Sequence, residues 1–464
     1  MSLATLRSLR ETKYFFAPLR LSGLSVKQNK LLLMKRIFFL LTGLLFFSLL
    51  AQAQGVLRLT DAVNIALKNS LDIQLAKNRI EADSIKNNIG IAGGLPLVTA
   101  NINDNEQITS VNQKLNTGTS IQRNNAAANN LNSNITGSIL LYNGGRVIAT
   151  KKRLGQLQLQ SQQQLMAQIQ NILADVMIGY YDIVRQQNYI KTIELSIDAS
   201  NKQLEIVKIR QQAGLANNAD LFQAQIDLNN LQQAKLAQQL AIDQAKTELL
   251  RLLTLKSDSS ISIEDTIIVD KKLALQTVLE GLNNNAEIAA TDYQIKINEL
   301  IVKETSALRY PSVRATTGYS FSRNQAAAGQ LLLNQNYGPT IGFSVGIPIY
   351  NGSVYRRQKQ AAQIDVRNAG LQKQTLIRDY SAQAVKQYQS YSTTISQLDT
   401  AVKNYKLSAK LLELALFRFQ LRQATIVEVK NAQQSFEASG FRLVNLNFAA
   451  KAAEIALKRL ANSL

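Results

Sequence analysis

Residues 146–212 run without a proline, and within them Ile169, Val176, Ile183, Ile190, Ile197 and Leu204 stand seven apart without a break. Leu165, Ile172, Ile193 and Val207 fill most of the companion position of the same repeat. An α-helix turns once every ~3.6 residues, so a stripe held at seven stays on one face only if helices wind left-handedly around neighbours. At about 1.5 Å per residue, the segment predicts a helix on the order of 100 Å long. The rest of its surface is rich in Gln, Asn, Lys and Ser, as suits a thin helical wall wetted on both sides. Taken alone, such a stripe fits a plain coiled-coil rod equally well.

The stripe occurs twice. Ile377, Ala384, Tyr391, Leu398, Tyr405 and Leu412 repeat it, and Tyr142-Asn143-Gly144 recurs 208 residues later as Tyr350-Asn351-Gly352. At that offset Arg210, Asp220, Ala224 and Gln225 meet Arg418, Glu428, Ala432 and Gln433. Pro96 and Val63 pair with Pro311 and Val278 at an offset of 215. Several matches in constant register indicate duplication of one unit. The predicted layout is an upstream extension and signal peptide (1–53), a first repeat (54–256), a linker (257–270) and a second repeat (271–464). Each repeat reads as a helical segment (59–90, then 273–307), a proline, two short strands and a long helical hairpin. The linker Ser257–Asp270 is polar and β-prone.

The strands carry a second period. Ile341, Phe343, Val345, Ile347 and Ile349 alternate with Thr340, Gly342, Ser344, Gly346 and Pro348. Val313, Ala315, Thr317, Tyr319 and Phe321 alternate with Ser312, Arg314, Thr316, Gly318 and Ser320. In the first copy Ile135, Ile139 and Leu141 are expected opposite Val98, Ala100 and Ile102, with weaker alternation. Successive strand side chains point to opposite faces, so one face is apolar and the other small and polar. A soluble sandwich alternates too, but the pattern matches a transmembrane barrel with lipid outside and water inside. Four strands cannot close a barrel, and open edges do not survive in lipid, so such a barrel must be shared between copies of the chain. The segments 105–131 and 322–336, rich in Asn, Gln and Ala, are expected to be loops.

Composition narrows the function. The chain has no Cys, His or Trp, which removes thiol nucleophiles, imidazole bases and the usual zinc sites, and leaves no disulfide or lipidated cysteine. No catalytic, cofactor or metal site is expected. Met34-Lys35-Arg36, the apolar run Ile37–Leu50 and Ala51-Gln52-Ala53 read as a secretory signal cleaved after Ala53. The formal charge is +20, of which residues 1–53 hold eight Lys and Arg against one Glu, leaving about +13 for the remainder. Secretion and the spread of charge along helices argue against a nucleic-acid partner, and favour a basic surface facing anionic lipid or peptidoglycan.

These features resemble the TolC-like outer-membrane efflux family over nearly all of the chain beyond the signal. Leu59-Thr60-Asp61-Ala62-Val63 looks like the family's opening helix, and Leu95-Pro96 and Tyr310-Pro311-Ser312-Val313 its entry into each strand pair. Tyr142-Asn143-Gly144 and Tyr350-Asn351-Gly352 resemble its strand-to-helix exit, while Arg210, Gly214-Leu215 and Asp220 resemble its periplasmic hairpin tip. The resemblance implies a mainly α fold with a transmembrane β-barrel portion: a homotrimer with a 12-stranded barrel in the outer membrane and a coiled-coil helical tunnel in the periplasm. It further implies docking on a periplasmic adaptor that links the channel to an inner-membrane pump, for efflux or type I secretion. A periplasmic adaptor itself, or a structural envelope coiled coil, is the alternative reading. An adaptor has one hairpin between soluble β domains, whereas two hairpins and two strand pairs are present here.

The tip residues Asp220 and Glu428 are expected at a gate, where three copies of each would form a cation-attracting ring. Thr425 and Glu428 also have capping-box spacing, and Gly214 suits a left-handed helix end. Departures from the family pattern are Arg422 in place of Gly214, Asn431 and Ala424 at positions often charged, and Phe419 where a hydroxyl is common. Arg418 or Arg422 is expected to pair with Asp220 and hold the entrance shut.

Overall fold

Two helices of identical length dominate the chain. The computed structural model describes residues 56–329 and 331–464, so the signal expected in 1–53 lies outside the described residues. Its elements in chain order are α1 (Leu59–Asn69), α2 (Leu71–Lys86), β1 (Leu97–Lys114), β2 (Ser120–Tyr142), α3 (Arg146–Gln212) and α4 (Asn218–Leu252). There follow α5 (Leu275–Gly281), a short 3₁₀ turn, α6 (Ala286–Ala307), β3 (Ser312–Ala326), β4 (Leu333–Gly346), α7 (Val354–Gln420) and α8 (Ile426–Leu460). Leu57–Ser259 and Ile263–Leu464 form one compact unit. Val56 and Ser260–Ser262 belong to another, within which Val56 and Ser262 form an isolated parallel bridge.

α3 and α7 are both 67 residues long, and α4 and α8 both 35. The left-handed backbone positions repeat as well: Gly144 with Gly352, Gly145 with Ser353, Gly214 with Arg422, and Thr254 with Asn462. Each pair is 208 residues apart, so the duplication extends to the turns that end the helices.

α3 packs against α4, α6 and α8, and α7 packs against α6 and α8. Val176, Ile183 and Leu204 of the seven-residue stripe are buried, with Ile172, Ile193 and Val207 beside them. In α7, Ala384, Tyr391, Leu398 and Leu412 are buried, while Ile377 stays exposed. Each fully buried aliphatic side chain contributes about 1.5–3 kcal/mol, so the stripe, rather than helix propensity, holds the hairpins together.

Helical segments expected to be continuous are each broken once. Ser70 ends α1 and caps α2, its Oγ accepting from the Ile73 N–H at 3.4 Å. Asn285 caps α6, its Oδ1 accepting from Glu287 N–H at 2.9 Å and Ile288 N–H at 3.3 Å. A side-chain acceptor competes with the backbone ladder, so a break needs neither Pro nor Gly.

The four strands form one antiparallel sheet in the order β1-β2-β3-β4, with the central β2–β3 pair joining the two repeats. Ile135 lies opposite both Ala100 and Tyr319, and Ile139 opposite Ala315. Leu141 falls in an irregularity, and Tyr142 takes its place opposite Val313. Segments 105–131 and 322–336 are mostly strand, contrary to expectation; only 115–119 and 327–332 separate the paired strands. Antiparallel pairing uses backbone groups alone, so the ladder continues where the alternation of side chains stops. Conversely, Ile347 and Ile349 lie beyond β4, which ends at Gly346 two residues before Pro348, a residue with no N–H to donate. The β-prone linker 257–270 forms no strand beyond the single bridge at Ser262.

Two buried polar sites fix the linker. Tyr180 donates to Leu57 O at 3.0 Å and to Asp265 Oδ2 at 3.2 Å. Burial and the Asp265 carboxylate raise its pKa, keeping the phenol a donor. Glu454 is 2% exposed and accepts from Lys458 Nζ at 2.7 Å, Lys451 Nζ at 3.0 Å and the Asp270 N–H at 3.0 Å.

Glu437 of α8 is held differently. Burial raises its pKa. A carboxyl whose folded pKa is raised contributes stability below its unfolded pKa and loses it as pH rises through the folded value. Glu437→Gln is therefore expected to raise the melting temperature at neutral pH and to leave it unchanged in acid. Thermal unfolding of the two proteins across that range checks it.

Candidate functional site

The residues singled out in the sequence gather at the two ends of the long helices. At the strand end, Pro96 and Pro311 immediately precede β1 and β3, and Tyr142 is the last residue of β2. Tyr350 lies in the segment past β4 and is 84% exposed. Gly144 and Gly352 share left-handed φ values of +68° and +64°, but their surroundings differ. A Cβ at Gly144 would meet Tyr310 Cβ at 2.7 Å and Ala307 O at 2.8 Å, whereas Gly352 faces open space. Gly144 is thus required twice over, by backbone and by packing, and Gly352 by backbone alone.

At the other end, α3 turns into α4 through Gly214 at φ +72°. α7 turns into α8 through Arg422 at φ +65°, a left-handed arginine in the glycine's place. Such a conformation costs an L-residue about 1–2 kcal/mol. Asn217 caps α4 by accepting from the Asp220 N–H at 2.8 Å. Thr425 and Glu428 close a capping box on α8: Glu428 N–H donates to Thr425 Oγ1, and Thr425 N–H to Glu428 Oε1, both at 3.2 Å.

Arg418 does not reach Asp220. Its Nη2 donates to Gln423 O at 2.8 Å, and its Nη1 lies 3.8 Å from Glu428 Oε2. The turn after α7 brings both acceptors back to Arg418 within a few residues, and the nearer partners win. Arg422 makes no ion pair among the described residues, and neither does the Asp220 carboxylate. Glu428 is committed to its cap and to Arg418, so of the two tip carboxylates it is Asp220 that has no ion-pair partner among the described residues.

The contacts that join the two hairpins are ones the sequence does not single out. The Arg210 guanidinium stacks over the Phe419 ring, 4.3 Å from its centroid, and donates to the Phe419 carbonyl. Burial, with the nearby Arg422 charge adding to it, lowers the pKa of Arg210. Lys430 of α8 reaches Asp227 of α4 at 2.8 Å. Phe419 is 4% exposed and packs in a cluster with Val429, Phe436 and Leu412. Sequence spacing shows Arg210 and Arg418 as equivalent, but only tertiary packing gives one a ring to cover and the other a helix cap.

The sheet itself is the second candidate site. One of its faces is apolar and open: Ile341 is 83% exposed, Phe343 72%, Ile102 78% and Val98 68%. The other is polar, with Asn101 donating to Asn134 at 3.1 Å and Ser322 to Asn132 at 2.8 Å. From Tyr337 to Val345 the apolar face extends, at about 3.3 Å per residue and a tilt of about 40°, over a band on the order of 20 Å. No helix among the described residues is long and apolar enough to cross a membrane.

Comparison with known proteins bears on both ends of the molecule. The family described as outer membrane efflux protein matches residues 62–254 and 279–463. Outer membrane protein TolC of Vibrio cholerae serotype O1 is 23% identical over 305 residues, covering 62% of this chain and 67% of that protein. The crystal structure of the outer membrane protein VceC of Vibrio cholerae is similar with a TM-score of 0.69 at 18% identity, over 87% of this chain and 96% of that one. The Campylobacter jejuni CmeC outer membrane channel is similar with a TM-score of 0.71 at 15% identity, over 87% and 85% of the two chains.

Proposed function

The chain belongs to the outer membrane efflux protein family, and on that footing we propose that three copies assemble into a channel through the outer membrane that passes solutes and catalyses no reaction. The observation that carries this is the sheet: four antiparallel strands, an apolar face that is open and edges at β1 and β4 that are unpaired among the described residues. In lipid each unpaired backbone group costs several kcal/mol, so β1 of one subunit must pair with β4 of the next. Three subunits give a 12-stranded closed barrel, with the polar face lining water.

The helices support the same assembly. Leu407, Leu411, Leu414 and Phe417 of α7, with Leu421 at its C-terminal cap, recur at three- and four-residue steps and are each more than half exposed. An apolar stripe at that spacing calls for a helical neighbour. In this reading, adjacent subunits cover part of it in a periplasmic tunnel, and hairpins of a periplasmic adaptor cover the part nearest the tip. The adaptor in turn connects the channel to an inner-membrane pump. Residues 54–256 and 271–464 then act as two equivalent units around the ring, giving the trimer quasi-sixfold packing. Asp220, Phe419 and Arg210 sit where the tunnel would narrow.

Purified from outer membranes in detergent, the protein is expected to migrate as a trimer that heating converts to monomer, and to conduct ions in planar bilayers. A folded protein that remains monomeric, stays soluble without detergent and does not conduct would overturn the proposal.

A further inference from the structure

Over the register-matched part of the sheet, from Leu97–Thr109 of β1 through β4, the polar face carries a single charged side chain, Arg314. The pairings that define this face are the Asn101–Asn134 and Ser322–Asn132 hydrogen bonds, and Arg314 itself donates to Ser138 Oγ at 3.4 Å. The remaining residues on it are Ser, Thr, Asn, Gln, Gly, Ala and two leucines. Asp104 and Glu106 lie on the opposite face, where Asn129 donates to both, at 2.7 Å and 3.1 Å. No carboxylate therefore offsets Arg314 on its own side.

A second guanidinium adjoins it. Arg146, the first residue of α3, lines with Arg314, Ser312 and Tyr310 a cavity of about 470 Å³ where the strands meet the helices. Neither arginine makes an ion pair among the described residues. α3 and α7 both begin at this level, and neither has an acidic residue in its first turn, so the positive ends of two long helix dipoles add to the field.

We propose that this junction is an anion-selecting ring: two guanidinium groups from each subunit, facing the water-filled interior, that draw in solutes bearing carboxylate, phosphate or sulfonate groups. The inference rests on the trimeric channel reading and adds to it the charge class of the cargo. Fixed charges around a pore overlap when they lie within about a Debye length, roughly 10 Å at 0.1 M salt, and a low-dielectric wall focuses their field. Guanidinium presents paired donors that match carboxylate and phosphate oxygens, so it offers binding as well as attraction.

The test uses the purified trimer in planar bilayers under a KCl gradient. The anion-to-cation permeability ratio of Arg314→Gln and of Arg146→Gln is expected to fall about twofold or more, and Arg314→Glu to shift the reversal potential towards cations. Arg314→Lys keeps the charge and should behave as the unaltered protein. Tripolyphosphate added on the barrel side should reduce the current through the unaltered channel and spare that through Arg314→Gln. Equal permeability ratios and equal block in every variant, with conductance intact, would overturn the ring while leaving the channel standing. A trimer that conducts nothing would overturn both.

Discussion

Ile341→Arg is expected to abolish assembly in the outer membrane, while Thr340→Arg, one residue earlier on the same strand, leaves the trimer intact. Ile341 sits midway along the apolar band between Tyr337 and Val345 and is 83% exposed in the single chain. Thr340 is its neighbour on the polar face, paired with Gly318. An arginine facing lipid at mid-depth costs about 2–4 kcal/mol, and three copies bring the penalty for a trimer to the order of 10 kcal/mol. That is comparable with the whole margin of a typical folded protein, about 5–15 kcal/mol. An arginine facing the interior stays hydrated and costs little. Outer-membrane fractionation with unheated gels reads the result directly. Equal trimer yields from the two variants would mean that the apolar face does not meet lipid.

How much of this was legible in the sequence depends on which force set each feature. The seven-residue stripe of α3 and the doubled Tyr-Asn-Gly motif are written in side-chain identity, although each long helix runs on past its stripe, to Gln212 and to Gln420. The apolar face of the second hairpin is equally legible, and that of the first less so, because its alternation is weaker. Beyond that band both faces meet water, the period of two disappears, and the Asn- and Ala-rich stretches looked like loops although their backbones remain paired. Ser70 and Asn285 break helices through one side-chain acceptor each, a signal too common in polar sequence to stand out.

The tip shows the same division. The capping box of Thr425 and Glu428 is local and was readable from a spacing of three. The pairing of Arg418 with Asp220 was an inference across hairpins, and the shorter route to Glu428 displaced it. Arg314 was visible only as one polar residue in an alternating strand. Its isolation emerges when the register of four strands shows that every acidic residue of the matched sheet lies on the other side.

Phe419→Ala is expected to loosen the hairpin tips and raise conductance without disturbing the barrel. Phe419 is 4% exposed, and removal of a buried phenyl ring costs about 3–5 kcal/mol through lost transfer energy and the cavity left behind. The ring is also the surface on which Arg210 of the other hairpin rests, a contact worth up to about 2 kcal/mol when desolvated. The carbonyl that accepts from Arg210 belongs to the backbone and survives the substitution, so the variant isolates the ring from the hydrogen bond. Lys430 and Asp227 remain as the second link between the hairpins, at 2.8 Å, and are too exposed on the lysine side to compensate. Phe419→Leu, which restores most of the packing but not the π face, should fall between the two. Proteolysis is expected to quicken at the turns 213–217 and 421–425, and single-channel conductance to rise, while the unheated trimer band persists. If the turns are cleaved no faster and the conductance is unaltered, Phe419 does not hold the tip closed, and the narrowing must be maintained by contacts between subunits instead.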